Sequence, residues 1–430
     1  MTAGEPRARP VWRAAGAVSS LAAAGLLGAA TGVCVALFLW LLRVVTEVFW
    51  QFPDLLYLLP LAGLISGLLY QWAGRGVERG NRLIFEQIRN QEGDVPLRMA
   101  PLVLAGTLLT HLCGGSAGRE GTAVQIGGSL AGGLGRWLRF SGTRRQTLLQ
   151  SGLAGGFGAV FGTPLAGIVY ACEAPQTGRW RLQALGPCAA AAVVGHLTAT
   201  VCGTTHADYS IAGGTEFSVR TWLQLHGLLL PAGLAFVLAG RLYVGLSESV
   251  GAVLTRHVRR SWLRPVCGGL VLVLLVSSTG QTEALGLGAD GNPGQPQLTS
   301  LATVFSSGGA GWWSWWWKLI FTAVTVGSGL RGGEVTPLFY IGATLGHSLS
   351  RLLDLPVALL SGLGFVTVFG AALRVPATSL VLGLELFGWR DAGLWTGLMV
   401  MLLVQQVAAG RSWKLRQGGV EPRLNRNDCE

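Results

Sequence analysis

The sequence predicts an all-helical polytopic membrane protein, from its composition and from the spacing of its apolar runs. Half of the 430 residues are hydrophobic and only 12% are charged, which is far too apolar for a soluble protein of this length. Apolar runs follow one another between residues 17 and 410, and several approach the roughly 20 residues that cross a bilayer as a helix. Other runs are too short or too rich in glycine to cross the bilayer as one regular helix. Because lipid offers no partner to backbone polar groups, we expect these to be broken helices buried among neighbours.

The basic residues predict how the chain is oriented. The formal net charge is +11, but Lys and Arg lie in short loops beside apolar runs and not in an aromatic-rich soluble domain, so no nucleic-acid partner is expected. The positive-inside rule makes these loops cytoplasmic and places the segments around Asp208, Glu216, Glu283 and Asp290 outside. We therefore expect a multi-pass protein of the inner membrane with both termini in the cytoplasm. The first apolar run is too long for a cleaved signal peptide and is predicted to remain as a helix.

Cysteine and histidine give no sign of a metal site or a disulfide framework. Seven cysteines contain no C-x-x-C pair, and six histidines are scattered along the chain. The sequence therefore predicts no metal and no cofactor.

A pair of motifs recurs in the two halves of the chain. GREGT at 118–122 is followed by VFGTPLAGIVYACE at 160–173, and GEVTP at 333–337 is followed at a similar distance by ALRVPATSLVLGLE at 372–385. Pro164 then matches Pro376, and Glu173 matches Glu385. If each half crosses the membrane an odd number of times, the two halves lie inverted relative to each other. Folds of this kind bind their substrate near the midplane of the membrane. The predicted organisation is a cytoplasmic segment (1–16), a first half (17–203), an extracytoplasmic linker (204–220), a second half (221–410) and a cytoplasmic tail (411–430).

Each glycine motif predicts a helix that starts inside the membrane. Such a start presents free N–H groups and the positive end of the helix dipole, and glycine lets a ligand approach the backbone. Pro337 suits an early helical position, where its missing N–H costs nothing. Two such starts attract an anion without a full positive charge that would trap it. The sequence therefore predicts an anion site.

Glu120 adds a mechanism to this site. A carboxylate beside a bound anion is repelled when ionised and tolerated when protonated, so the anion and the proton compete. We interpret Glu120 as a gate that exchanges protons, because ionisable residues inside a membrane are functional by default. The alternative is a structural ion pair with Arg119 or another cation.

An intramembrane serine hydrolase is an alternative from another class. Residues 114–118 fit the G-x-S-x-G nucleophile elbow around Ser116, and His111 is nearby. An elbow needs a strand, a sharp turn and a helix in an α/β sheet. Nothing in the sequence resembles a parallel sheet, so we expect a protein that is not an enzyme.

These motifs resemble the CLC family of chloride channels and proton-coupled anion antiporters. GREGT is similar to the family's G-[KR]-E-G-P box, in which the glutamate is the external gate, and GSGLRGGEVTP, FGTPLAGIVYACE and VPATSLVLGLE resemble its later motifs. Threonine in the first box and Glu334-Val335-Thr336 in the second resemble the fluoride-exporting branch. The resemblance implies a CLC-like inverted-repeat bundle, a homodimer with one pathway per subunit, and exchange of fluoride for protons. A chloride-type or broad-selectivity transporter, or a passive channel of the same fold, is the alternative.

The resemblance also implies the residues of the site. Glu120 inherits the gating role, Glu334 and Thr336 line the ion path, and Asn81 stands where the family has an inner serine, with Arg82 as the alternative one residue on. Fluoride holds its water tightly and is a strong hydrogen-bond acceptor, so its site needs strong donors such as amide and hydroxyl groups or a protonated glutamate. The predicted anion-binding residues are Asn81, Gly118, Arg119, Gly121, Thr122, Gly333, Glu334, Val335 and Thr336.

Two departures from the family leave the inner proton route open. Ala174 stands where other members carry a second proton-transfer glutamate, and only Trp413 or Lys414 stands near the position of the family's ion-coordinating tyrosine. Glu334 is one candidate for the inner route. Glu173 and Glu385 are either relays or structural caps.

Overall fold

The computed structural model describes residues 10–90, 94–175, 181–206, 219–288, 299–388 and 392–417. Side chains are described in these ranges except at 10–18, 219–226 and 409–417. The expectations for Asp208, Glu216, Asp290, the tail from residue 418 and the side chains of Trp413 and Lys414 therefore lie outside the described residues.

Most of the described residues are helical, which confirms the predicted fold class. Strand geometry within these ranges is limited to one isolated bridge. The helices are α1 (Pro10–Gln51), α2 (Leu59–Ala73), α3 (Asn81–Asn90), α4 (Met99–Leu112), α5 (Glu120–Trp137), α6 (Gly142–Phe161), α7 (Pro164–Glu173), α8 (Leu182–Val201), α9 (Val219–His257), α10 (Arg264–Thr279), α11 (Ser314–Gly327), α12 (Val335–Leu353), α13 (Val357–Leu373), α14 (Pro376–Phe387) and α15 (Ala392–Gln417).

Only some of these helices are long enough to cross a bilayer alone. Five spans within the described part have the required length and hydropathy, and they lie in α1, α2 with the short 3₁₀ turn before it, α8, α9 and α10. Helices α4, α13 and α14 are apolar but shorter. Helices α5 and α12 begin where the glycine motifs predicted a break. Their backbone polar groups are shielded by neighbouring helices, as the membrane requires of broken segments.

Small residues bring the central helices together in both halves. A Cβ placed on Gly127 of α5 would lie 2.1 Å from the Gly152 carbonyl oxygen of α6. In the second half, a Cβ on Gly342 of α12 would lie 2.0 Å from the Gly364 carbonyl oxygen of α13. Without a hydrophobic driving force between helices in lipid, this close backbone approach supplies van der Waals packing. The high glycine content of the chain therefore serves helix packing as well as the two turns.

The two proline segments cap each other across the halves. Glu173, at the end of α7, accepts hydrogen bonds from the backbone N–H groups of Ala377 (2.9 Å) and Thr378 (2.7 Å) at the start of α14. Glu385 of α14 accepts from the N–H groups of Leu165 (3.1 Å) and Ala166 (2.8 Å) at the start of α7. Each carboxylate accepts hydrogen bonds from free N–H groups at the start of the other segment. Its negative charge also interacts favourably with the positive end of that helix dipole. The geometry supports the capping interpretation of both glutamates.

Replacing Glu173 by alanine should destabilise the protein. The Thr378 hydroxyl also donates to this carboxylate, at 2.7 Å, so the change leaves three donors at the start of α14 without their acceptor. We expect a loss of about 2 kcal/mol, since each unpaired buried donor costs roughly 1–3 kcal/mol. Thermal unfolding of the detergent-solubilised protein measures the change, with the exposed Glu248→Ala on α9 as control. Equal unfolding temperatures for the two variants would contradict the capping role.

Candidate anion-binding site

The two glycine motifs meet inside the fold. Gly118 and Gly333 exchange two backbone hydrogen bonds of 2.6 Å each, one from the Gly118 N–H to the Gly333 carbonyl and one in the opposite direction. This antiparallel bridge joins the residues just before α5 and α12. The starts of two helices from different halves are therefore held side by side.

Glycine is required on both sides of this bridge because the backbones touch. A Cβ on Gly118 would lie 2.8 Å from Cδ of Pro337 and 3.1 Å from the backbone nitrogen of Thr336. A Cβ on Gly333 would lie 2.9 Å from the backbone nitrogen of Gly121. Any side chain at either position would force the two helix starts apart.

The carboxylate of Glu120 occupies the start of α12. One oxygen, Oε2, accepts hydrogen bonds from the backbone N–H of Thr336 at 3.0 Å and of Arg119 at 3.2 Å. The other, Oε1, accepts from the Thr336 hydroxyl. Only 1% of Glu120 is exposed. A bound anion would accept hydrogen bonds from the same free donors at this helix start, so the carboxylate of Glu120 stands in the position that such an anion would take.

The nearest cation stands beside this carboxylate without bonding to it tightly. Arg119 takes the position before α5, and its Nε atom lies 3.6 Å from Oε1 of Glu120. That separation exceeds an ordinary N–H···O hydrogen bond. The side chain of Arg119 is 20% exposed, whereas that of Glu120 is 2% exposed. The contact contributes positive potential and leaves the backbone donors of α12 as the principal partners of Glu120.

Asn81 approaches the same place from a third helix start. It is the first residue of α3, and its Nδ2 atom would lie 3.7 Å from a Cβ on Gly121. Its side-chain oxygen is buried without a hydrogen-bond partner among the described residues. Arg82, the alternative, is exposed. The fold therefore brings the amide of Asn81, and not the guanidinium of Arg82, to the glycine turns.

The remaining predicted residues lie on the two helix starts with different partners. Glu334 precedes α12 and accepts a hydrogen bond of 3.1 Å from the Tyr243 hydroxyl of α9. Val335 is buried beside it. The hydroxyl of Thr122 pairs with that of Thr107 on α4 at 2.8 Å. Thr122 therefore ties α5 to α4, whereas the Thr336 hydroxyl faces Glu120.

Ser116 and His111 brace the first glycine turn. The Ser116 hydroxyl pairs with that of Thr322 on α11 at 2.9 Å. The two ring nitrogens of His111 lie 2.9 Å from the Thr107 carbonyl oxygen and 3.1 Å from that of Ala117. Serine and histidine thus face different partners, and the geometry offers no nucleophile–base pair for the hydrolase alternative.

Two cations that sequence reasoning missed, one half-buried and one buried, hold the loops around the site. The Arg331 guanidinium lies 3.6 Å from the ring centroid of Tyr70 and donates to the Glu78 carbonyl at 3.1 Å. It thereby ties the second glycine motif to the loop that leads to Asn81. Lys318 of α11 is fully buried and donates to the Gly286 carbonyl at 2.8 Å. A lysine inside an apolar helix was the available sequence signal for the second cation.

Comparison with known proteins decides the family. A model of the voltage gated chloride channel family matches residues 62–409 of the chain. This protein belongs to that family. A chloride/fluoride channel protein from Pseudomonas syringae pv. tomato is 41% identical over 370 residues, which are 86% of this chain and 80% of the relative. The predicted resemblance to the CLC family and to its fluoride-exporting branch is confirmed.

Solved CLC structures share the architecture. The crystal structure of a CLC-type fluoride/proton antiporter is 31% identical and superposes with a TM-score of 0.83, covering 91% of this chain and 96% of that one. A slow cyanobacterial Cl⁻/H⁺ antiporter is 19% identical with a TM-score of 0.74, covering 91% and 94% of the two chains. The second comparison shows the common CLC fold.

Replacing Gly333 by alanine should open the glycine bridge. The new methyl group would meet the backbone nitrogen of Gly121 at 2.9 Å and the carbonyl group of Gly118 at 3.1 Å, and backbone atoms cannot turn aside as a side chain can. We expect a loss of about 1–3 kcal/mol in stability, the usual cost of overpacking. Thermal unfolding in detergent measures it.

Gly25→Ala is the matched control for this substitution. Its Cβ would meet nothing within 4 Å, and it lies within α1. The same change there should raise stability by about 0.5–1 kcal/mol, because alanine loses less entropy than glycine in a helix. Gly333→Ala that unfolds at or above the wild-type temperature would show that the bridge tolerates a side chain.

Proposed function

We propose that this protein is a fluoride/proton antiporter that exports fluoride across the inner membrane while protons enter. Glu120 is the gate: ionised, it occupies the start of α12, and protonated, it leaves that place to fluoride. The anion then binds between the two helix starts, where Gly118, Arg119, Gly121, Gly333 and Val335 shape the passage. Asn81, Thr122, Glu334 and Thr336 are proposed as its polar lining.

The position of the Glu120 carboxylate carries this proposal. It accepts the Thr336 N–H at 3.0 Å and the Thr336 hydroxyl, which are donors that an anion would also use. A carboxylate and a halide cannot share these donors, because both are negative and the site is buried. Proton uptake by Glu120 therefore becomes the condition for anion entry, and this linkage supports coupled exchange.

The donor chemistry supports fluoride as the anion. The Thr336 hydroxyl and the side-chain amide of Asn81 stand at the two glycine turns, and the O–H and N–H₂ groups of these side chains are strong donors for a small, hard acceptor. The relative from Pseudomonas syringae is named a chloride/fluoride channel protein, and the structure at TM-score 0.83 is that of a fluoride/proton antiporter. These likenesses point in the same direction as the donors.

The proposed assembly is a homodimer with both termini in the cytoplasm. The halves 17–203 and 221–410 are proposed to lie inverted, which the reciprocal caps of Glu173 and Glu385 support. Apolar side chains on α8 and α15 are exposed and need lipid or a second copy to cover them. These are Leu182, Val193, Leu197, Val201, Met399, Leu403 and Val407.

Ion flux from liposomes tests the function. The purified protein should release fluoride in preference to chloride, and it should take up protons as fluoride leaves, which a fluoride electrode and a pH electrode record together. Preference for chloride would favour the chloride-type transporter. Fluoride release without proton movement would favour the passive channel.

Glu120→Gln should separate fluoride movement from proton movement. Glutamine keeps the size of the side chain and an acceptor for Thr336, but it cannot exchange a proton. We expect fluoride efflux to continue while the proton flux falls to background. Glu248→Gln, on the exposed face of α9, should leave both fluxes unchanged. Proton coupling that survives in Glu120→Gln would remove this residue from the gating role.

Asn81→Ala should weaken fluoride binding. Losing one hydrogen bond to a charged partner costs roughly 1.5–3 kcal/mol, so the fluoride concentration for half-maximal efflux should rise about tenfold or more. Arg82→Ala is the control, because that side chain is exposed. If the fluoride concentration for half-maximal efflux rises more in Arg82→Ala than in Asn81→Ala, Arg82 and not Asn81 makes the inner contact with fluoride.

A further inference from the structure

Two tryptophans stand exposed at the ends of two membrane helices. Trp72 is 85% exposed near the end of α2, and Trp137 is 76% exposed as the last residue of α5. Leu97, in the loop before α4, is also exposed, and a Cβ on Gly133 of α5 would lie 3.0 Å from its Cδ1 atom. Tryptophan has an apolar ring and a polar N–H, which suits the boundary between lipid and water. These side chains therefore mark the level at which the helices leave the bilayer.

The loop before α4 joins these two helix ends into one surface. The Arg98 guanidinium donates to the Arg75 carbonyl, just beyond α2, at 2.7 Å. The Arg136 guanidinium, in the last turn of α5, donates to the Val95 carbonyl at 3.0 Å. Residues 94–98 are thus bonded to the end of α2 and to the end of α5. The basic surface is defined here by Trp72, Arg75, Leu97, Arg98, Trp137 and Arg139.

The acidic groups beside the basic surface already have partners. Asp94 pairs with Arg136 at 2.5 Å through one carboxylate oxygen and with Arg145 through the other. The Glu78 carboxylate accepts a hydrogen bond from the Gly76 N–H at 2.8 Å. These carboxylates are therefore engaged by other groups.

The arginines of the basic surface keep an uncompensated positive charge. Arg75, Arg98 and Arg139 are all exposed. Within the described ranges, none of the three forms an ion pair with a carboxylate. Exposed guanidinium groups thus stand beside exposed apolar rings, which is an arrangement that calls for a ligand with a negative head and an apolar body.

An anionic phospholipid fits this arrangement better than a free anion or a second copy of the chain. Guanidinium groups bind phosphate through paired N–H donors, and lipid phosphates lie at the level where helices leave the bilayer. A free anion would use the arginines but would leave Trp72, Leu97 and Trp137 uncovered. A second copy of the same surface would bring like charges together, which costs free energy.

We propose that the basic surface binds the headgroup of an anionic phospholipid. Arg75 and Arg139 donate to the lipid phosphate, and Trp72, Leu97 and Trp137 contact the acyl chains below it. The surface lies on the side that the basic loops predict to be cytoplasmic, where basic pockets beside membrane helices recognise anionic headgroups. The proposal does not depend on which anion the protein transports.

Lipid binding to the full-length protein in detergent tests the basic surface. Native mass spectrometry measures dissociation constants for dioleoylphosphatidylglycerol, which is anionic, and for dioleoylphosphatidylcholine, which is neutral overall. The wild-type protein should bind the anionic lipid at least tenfold more tightly. Arg75→Gln and Arg139→Gln should each raise its dissociation constant about fivefold, which corresponds to about 1 kcal/mol per arginine, and should leave the neutral lipid unchanged. Trp137→Ala should weaken the binding of both lipids.

Arg43→Gln is the matched control for the loss of one positive charge. Arg43 is exposed too, but it lies on α1 toward the turn that leads into α2, and it donates to the Thr205 hydroxyl at 3.2 Å. This variant should change the dissociation constant of the anionic lipid less than twofold. Unfolding temperatures show that every variant is folded.

Four results would overturn the proposal. They are equal affinity of the wild-type protein for the two lipids, an effect of Arg43→Gln as large as those of Arg75→Gln and Arg139→Gln, unchanged lipid binding in Trp137→Ala, and release of the anionic lipid by an equal concentration of inorganic phosphate. The second result would show that net charge alone attracts the lipid, and the last would show a site for free anions. Since no ion flux is measured, failure of the proposed transport function leaves this test intact.

Discussion

Two backbone hydrogen bonds between Gly118 and Gly333 hold the starts of α5 and α12 against each other, and the site depends on that contact. A helix start inside a membrane has free donors that lipid cannot satisfy. Here one helix start receives the carboxylate of Glu120 from the neighbouring motif. Both glycines sit where a methyl group would collide with backbone, so the contact leaves no room for variation. The bridge thus leaves free donors at the start of α12, and it places the carboxylate of Glu120 where it accepts hydrogen bonds from them.

Among the described residues, three glutamates accept hydrogen bonds from backbone N–H groups at the start of another helix, with different consequences. Glu173 caps α14, Glu385 caps α7, and Glu120 fills the start of α12. In the first two cases proline begins the helix and the glutamate comes from the matching segment of the other half. Glu120 instead lies within the glycine bridge, where its nearest cation stands at 3.6 Å. Two of these carboxylates therefore serve as caps, while the third takes the position in which we propose that an anion competes with it.

Positive potential at the site comes from helix dipoles and from Arg119, whose Nε atom lies 3.6 Å from Glu120 without a hydrogen bond. Lys318 is buried and Arg331 is half-buried, but their N–H groups are directed at backbone carbonyls, and they stabilise loops. A site made of dipoles attracts an anion more weakly than a lysine in contact would, and it lets the ion leave. Weak attraction combined with strong local donors suits an ion that must be stripped of water and then released.

The sequence by itself determined the helical membrane fold and the breaks at GREGT and GEVTP, because composition, hydropathy and glycine-led helix starts are local properties. It pointed to Glu120 as the proposed gate. It also indicated Asn81, Glu334 and Thr336 through resemblance. Only the tertiary structure decided that Gly118 bonds to Gly333, that Thr122 pairs with Thr107 while Thr336 binds Glu120, and that Tyr243 holds Glu334. These partners lie far apart along the chain, and no local pattern states which buried hydroxyl meets which carboxylate. Long-range packing of small residues brings the two halves close enough to settle those pairings.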